Sequence, residues 1–183
     1  MNFISIILIA IALAMDAFSV SISCGLILKK PKLAHYLRLA IAFGGFQFIM
    51  PIIGYFFANM AAQFVTQYSH YIAFFLLLFI GAKMIYDSTK KDKEYHDPSQ
   101  GRTLIMLAIA TSIDALAVGF SLGALGSPIL VPSLIIGLVC ALFTIIGVAI
   151  GNKVSSYLSK GGEIFGGVIL ILIGIKIFIS GLK

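Results

Sequence analysis

Two aspartates stand out because they lie inside stretches that otherwise contain almost no charge. Asp16 is near the midpoint of the apolar run Phe3–Leu28, and Asp114 is near the midpoint of Leu104–Leu125. A carboxylate at the centre of a bilayer costs about 2.5–3.5 kcal/mol even on a lenient insertion scale. Because intramembrane ionisable groups are functional by default, these aspartates are the first candidates for a binding site.

Neutral oxygen-bearing side chains accompany the two aspartates. In an α-helix, residues that are three or seven positions apart lie on roughly the same face. Four hydroxyl side chains keep that spacing to an aspartate, and one glutamine lies near the middle of another apolar run. These candidates are Ser19 and Ser23 for Asp16, Thr111 and Ser121 for Asp114, and Gln47 in the other run.

The chemistry of these groups favours a hard divalent cation. All are oxygen donors, which suit Mn²⁺, Mg²⁺ and Ca²⁺, whereas Zn²⁺ and Cu⁺ call for nitrogen or sulfur. Each hydroxyl taken alone is more commonly bonded to its own backbone or to a neighbouring helix. For the aspartates, the alternative is a protonated acid that holds two helices together. The predicted metal ligands are Asp16 and Asp114 in first rank and the five neutral side chains in second rank.

The composition indicates a membrane protein. The 183 residues are 60% hydrophobic and 11% charged, whereas a soluble domain is typically about 45–50% apolar and about 25% charged. A soluble enzyme, a nucleic-acid-binding domain and a disordered chain are thereby excluded, and no catalytic motif supports enzyme chemistry. Cys24 and Cys140 lie in apolar runs, where we expect buried thiols rather than a disulfide or a paired metal site. No permanently bound cofactor is indicated.

Six apolar runs have roughly the 20 residues that a membrane-spanning helix needs. The fold class is therefore an all-α integral membrane protein, with a single membrane domain over residues 1–183. Its parts are a three-helix repeat at 1–87, a cytoplasmic linker at 88–103 expected to be a solvated loop, and a second three-helix repeat at 104–183. The predicted spans are Phe3–Leu28, Leu33–Ala58, His70–Asp87, Leu104–Leu125, Ile129–Ile150 and Gly162–Leu182.

The basic residues predict the orientation of these spans. Ten of the 13 Lys and Arg residues lie in the first, third and fifth connections, whereas the second and fourth connections carry no charge. The positive-inside rule places the basic connections in the cytoplasm. Both termini are then external, in a multi-pass protein of the cytoplasmic membrane.

The two halves of the chain resemble each other. Three short segments of the first half recur in the same order in the second half, which indicates an internal duplication. Since each repeat has three helices, the second enters the membrane in the opposite sense, as in many alternating-access transporters. The matched segments are Met15–Val20 with Ile113–Val118, Pro51–Gly54 with Thr144–Gly147, and Ile80–Lys83 with Ile173–Lys176.

These motifs resemble the MntP family of bacterial manganese efflux pumps, within the broader lysine-exporter superfamily. The resemblance lies in the paired aspartate motifs, in Phe43–Gln47 followed by Pro51–Tyr55, and in Glu163–Gly167. It extends over essentially the whole chain, including its length and six-helix layout. It implies export of Mn²⁺ as the transported substrate across the cytoplasmic membrane, with Asp16 and Asp114 as essential residues.

The mechanism that we expect is alternating access around one site at the membrane midplane. Without metal, two neighbouring carboxylates in a low dielectric repel each other, so that at least one should hold a proton. Mn²⁺ would displace protons on loading, and H⁺ would return after release. The expected partners are thus Mn²⁺, H⁺ and the lipid bilayer, with no nucleic acid, and a homodimer is compatible with so small a unit.

Two other functions remain open at the level of sequence. One is export of a cationic or zwitterionic organic solute, as elsewhere in the superfamily. The other is a membrane scaffold or sensor that transports nothing, in which protonated aspartates hold helices together. Oxygen ligands also leave undetermined which of Mn²⁺, Fe²⁺, Mg²⁺ and Cd²⁺ the site would prefer.

Overall fold

A computed structural model describes residues 3–28, 31–58 and 97–155, with isolated positions between 75 and 179. Every regular element in this described part is an α-helix. The helices are α1 (Phe3–Ile27), α2 (Leu33–Phe56), α3 (Gly101–Ala110), α4 (Ile113–Ala124) and α5 (Leu130–Ser155).

Three of these helices are long and apolar enough to cross a bilayer. They are α1 with 25 residues, α2 with 24 and α5 with 26, and at 1.5 Å per residue each exceeds a hydrocarbon core of about 30 Å. The short helices α3 and α4 pass the same test together, as one span bent by 42°. Three predicted spans are thus long and apolar enough to cross a membrane, or four if α3 and α4 count as one span, and those at His70–Asp87 and Gly162–Leu182 lie, apart from isolated positions, outside the described residues.

The fourth span differs from its prediction. We expected one continuous helix over Leu104–Leu125, but the span breaks at Thr111 and Ser112. Pro51, in contrast, leaves α2 as one helix. The fifth span extends to Ser155, five residues past the predicted end at Ile150.

The packing of the four spans centres on α2 and α5. Helix α1 packs along α5, and α2 packs against α5, α4 and α3. Gly44 of α2 and Gly137 of α5 meet closely, since a Cβ atom on Gly44 would lie 2.8 Å from the Gly137 carbonyl oxygen. A Cβ atom on Gly137 would lie 2.9 Å from the Gly44 carbonyl oxygen. The small residues thus let the two backbones approach, as is common in membrane helix pairs.

Two further glycine contacts are equivalent to each other under the predicted internal duplication. A Cβ atom on Gly147 of α5 would meet the carbonyl oxygen of Phe18 on α1 at 2.7 Å. A Cβ atom on Gly54 of α2 would meet the carbonyl oxygen of Leu116 on α4. Phe18 and Leu116 each lie two residues after an aspartate, so α1 meets α5 as α4 meets α2.

The described end of the predicted linker, from residue 97, packs against the start of α2. Pro98 and Ser99 are buried. The Oδ2 atom of Asp97 lies 3.5 Å from the Nε2 atom of His35 at the start of α2. Asp97 also accepts hydrogen bonds from the amide and hydroxyl of Ser99 at 2.8 and 2.7 Å. Partial burial works against ionisation of Asp97, but hydrogen bonds from Ser99 and Gln100 and the nearby His35 hold its pKa below 3.8.

Candidate metal site

The break in the fourth span follows from two adjacent hydroxyl residues. The Thr111 hydroxyl donates to the carbonyl oxygen of Leu107 at 3.0 Å, and the Ser112 hydroxyl donates to that of Ala108 at 2.8 Å. The Leu107 carbonyl group also accepts the regular helical bond from the Thr111 amide, whereas the Ser112 amide donates to Ile109 and leaves the Ala108 carbonyl group to the Ser112 hydroxyl. Hydroxyl side chains that compete with the backbone in this way bend or end helices.

The break changes the hydrogen bonding around Asp114. The Ala115 amide donates to the Oδ1 atom of Asp114 at 2.8 Å. Asp114 itself lies in the first turn of α4, where the helix dipole favours a negative charge. The break therefore places Asp114 in the first turn of a short helix rather than in the middle of a continuous span.

Gln47 connects the break to α1. Its side chain is fully buried, and its Nε2 atom donates to the Thr111 carbonyl oxygen at 2.7 Å and to the Leu13 carbonyl oxygen at 3.5 Å. Thr111 and Leu13 each lie three residues before an aspartate. The amide head is thus held between the two aspartate-bearing segments, and its Oε1 atom has no hydrogen-bond partner.

The two aspartates are close enough to interact electrostatically. Each is half-buried, Asp16 on the continuous helix α1 and Asp114 beside the break. Within the described part of the chain, no three His, Cys, Asp or Glu side chains gather in one place. A cation here would therefore be held by two carboxylates and by neutral oxygen atoms.

The predicted hydroxyl ligands all bond to their own helices. The Ser19 hydroxyl donates to the Met15 carbonyl oxygen at 2.8 Å, and the Ser23 hydroxyl donates to the Ser19 carbonyl oxygen at 3.3 Å. The Ser121 hydroxyl donates to the Ala117 carbonyl oxygen at 3.0 Å. A metal ligand needs an oxygen lone pair rather than the proton, so these bonds leave the hydroxyl oxygens available. Ser121 is exposed and Ser23 buried.

Sequence reasoning overlooked two contributors to this site. Ser112 helps to break the span, and the backbone carbonyl group of Thr111 receives the Gln47 amide. The signal for the first was present, because two hydroxyl residues stand side by side immediately before Ile113 and Asp114. The partner of Gln47 could not be identified from sequence, since the contact joins residues on different helices.

Comparison with known proteins places this arrangement in a family. Residues 30–178 match the family model Mntp, described as "Putative manganese efflux pump". Relatives with that name include one from Methanobrevibacter smithii, 49% identical over 98% of both chains. Another from Clostridium botulinum is 45% identical over 98% of this chain and 96% of its own. A third, from Crocosphaera subtropica, is 45% identical over 100% of this chain and 98% of its own.

No solved structure matches this chain. The family model nonetheless covers residues 30–178, and the relatives named above match nearly the whole sequence at 45–49% identity. The chain belongs to the MntP family of manganese efflux pumps.

Proposed function

We propose that this protein exports Mn²⁺ from the cytoplasm by alternating access, through a site formed by Asp16, Asp114 and Gln47. The observation that carries the proposal is the buried Gln47 amide, which links the two aspartate-bearing segments. Asp16 and Asp114 interact electrostatically, and the Gln47 head lies between the carbonyl groups that precede them by three residues. The names of the relatives supply the metal.

The ligand set suits a hard divalent ion. The carboxylates supply the negative charge that compensates Mn²⁺ in a low dielectric, and the Gln47 Oε1 atom, which has no hydrogen-bond partner, supplies a neutral oxygen. Ser19, Thr111, Ser23 and Ser121 are secondary ligands in this proposal. Their hydroxyl groups donate hydrogen bonds to backbone carbonyl groups. The lone pairs of the hydroxyl oxygen atoms would bind the metal.

The alternation that we propose uses two inverted three-helix repeats, with the basic connections in the cytoplasm. Support comes from the contacts of Gly147 with Phe18 and of Gly54 with Leu116, which the duplication makes equivalent. The meeting of Gly44 with Gly137 would then lie close to the two-fold axis. Entry of Mn²⁺ releases protons from the carboxylates, and their return resets the empty site.

Exchange of each aspartate for asparagine tests this function. We expect Asp16→Asn and Asp114→Asn each to abolish Mn²⁺ export, because an amide keeps the hydrogen-bonding shape and removes the charge. The measurement is the manganese content of cells that express each variant during Mn²⁺ excess. Asp97→Asn, which changes an aspartate outside the spans, is the matched control. Retained export in either intramembrane variant would contradict the proposal and favour a structural role for the acids.

A further inference from the structure

Two hydroxyl groups on α5 are buried without a hydrogen-bond partner. Ser133 and Thr144 are both fully buried, and neither hydroxyl oxygen has a partner. Hydroxyl groups in membrane helices usually bond to a backbone, as Ser21 on α1 does with the Ala17 carbonyl oxygen at 2.6 Å. The Cys140 thiol, one turn before Thr144, interacts with it, but a thiol is only a weak hydrogen-bonding group. An unpartnered hydroxyl group in an apolar interior costs free energy, so two on one helix indicate a role that this conformation does not show.

Both residues lie on the face of α5 that meets the other helices of the site. Thr144 lies seven residues after Gly137, which meets α2, and three before Gly147, which meets α1. Ser133 lies four residues before Gly137. Residues at these spacings share one face of a helix. At 1.5 Å per residue, the two hydroxyl residues are about 16 Å apart along α5.

Thr144 lies at the depth of Asp16. Helices α5 and α1 run in the same direction, since Gly147 meets Phe18 and Gly151 meets the residue four positions further along α1. Three residues before Gly147, Thr144 is therefore level with the turn of α1 that carries Asp16.

Ser133 lies beyond an apolar closure. It is near the end of α5 opposite to Lys153, which is the external end in the proposed orientation. Three residues further along α5, Ile136 is 1% exposed and forms a cluster with Leu13 and Ala115. Leu13 and Ala115 belong to the two segments that carry the aspartates. This cluster therefore closes the face of α5 between the site and the external end.

We propose that this face of α5 lines the path by which the divalent cation leaves the site, with Thr144 at the inner end of the path and Ser133 at the outer end. The inference rests on the proposed function, to which it adds the route of release. Water or the hydrated cation would bond to each hydroxyl group once the path opens. Because a ligand shifts a conformational equilibrium only through contacts that differ between the states, these hydroxyl groups favour opening when water and cation enter.

Thiol accessibility in a full-length chain without native cysteine tests the path. We expect an impermeant thiol reagent to react with Ser133→Cys from the external side, and Mn²⁺ to slow the reaction of Thr144→Cys by filling the site. Leu125→Cys, exposed directly after α4, marks the external side. Ser21→Cys is the matched control, because Ser21 is equally buried but bonded within α1. A Ser133→Cys variant that exports Mn²⁺ and reacts no faster than Ser21→Cys would overturn the inference.

A second measurement keeps both native cysteines. Thr144→Val and Ser133→Ala each remove a hydroxyl group that has no partner in the closed state, so each should unfold at a higher temperature in detergent. Each should also export Mn²⁺ about fivefold more slowly, the factor expected from loss of one hydrogen bond in the open path. For Ser133→Ala, the maximal rate rather than the affinity for Mn²⁺ should fall.

The outcomes separate the path from the function. Unchanged export in both variants, or a lower unfolding temperature, would overturn the inference and leave Mn²⁺ export untouched. Absence of Mn²⁺ transport by the wild type, with Ser133→Cys reactive from outside, would instead contradict the proposed function.

Discussion

The Nε2 atom of Gln47 donates a hydrogen bond to the Thr111 carbonyl oxygen over 2.7 Å, across the interface between α2 and the broken fourth span. In a continuous helix, that carbonyl would accept from the amide of Ala115, which here donates to Asp114. The glutamine therefore compensates for the backbone bond that the break removes. Because unsatisfied polar groups in hydrocarbon are costly, this contact couples the shape of the span to α2.

Replacement of Gln47 should separate its hydrogen bond to Thr111 from its proposed role as a Mn²⁺ ligand. We expect Gln47→Leu to lower the free energy of unfolding by about 0.6–2 kcal/mol, the range for interhelical hydrogen bonds in membranes, and to abolish Mn²⁺ binding. Gln47→Glu keeps an oxygen ligand but, when ionised, cannot donate to Thr111, so it should lose stability and keep Mn²⁺ binding. Thermal unfolding in detergent and Mn²⁺ titration measure the two effects. Full stability of both variants would show that the hydrogen bond contributes nothing.

The hydroxyl pair at the break gives a second prediction. The double variant Thr111→Val with Ser112→Ala removes both donors to the end of α3, so we expect the span to straighten and Mn²⁺ transport to fall. Spin labels at the exposed positions 102 and 125, in a chain without cysteine, should report a longer distance between the ends of the span. Ser21→Ala is the control, because Ser21 is equally buried and bonds to Ala17 on a helix that stays continuous. An unchanged distance in the double variant would mean that packing alone maintains the bend.

The spans and the aspartate positions could be predicted because they depend on local composition. In a bilayer, an apolar run of about 20 residues can satisfy its backbone hydrogen bonds within the run only as a helix. Asp16 and Asp114 are recognisable for the same reason, since a charge inside such a run is costly wherever the other helices lie.

Contacts between helices could not be predicted in this way. The hydrogen bond from Gln47 to Thr111 and the packing of Asp97 against His35 each join residues far apart in the chain. The broken span could be predicted only in part. Its two adjacent hydroxyl residues are visible in the sequence, but the hydroxyl residues Ser19, Ser21 and Ser23 leave α1 unbroken.

The packed end of the linker predicts a dependence on pH. Because the pKa of Asp97 is lower in the folded protein than its ordinary value of 3.8, its ionised form stabilises this contact fully above about pH 4. The contribution is lost as the pH falls through the lowered pKa, when protonation weakens the bonds from Ser99 and Gln100. The protection of the Ser99 and Gln100 amides, taken relative to the unfolded exchange rate at each pH, should therefore fall as the pH drops below 3.8. Asp97→Asn should remove that pH dependence, and an unchanged acid profile in this variant would assign the effect to another group.

Adjacent glycines on α2 allow the close approach of α2 and α5 to be tested within one turn. A Cβ atom on Gly44 would lie 2.8 Å from the Gly137 carbonyl oxygen and 2.9 Å from the Ala141 Cβ atom, whereas one on Gly45 would meet nothing within 4 Å. We expect Gly44→Ala to separate the two helices and to lower both the unfolding temperature and Mn²⁺ transport. Gly45→Ala should leave transport intact and add up to about 1 kcal/mol of stability, since alanine is the better helix former. If the two variants behaved alike, helix propensity rather than contact between the backbones would govern this position.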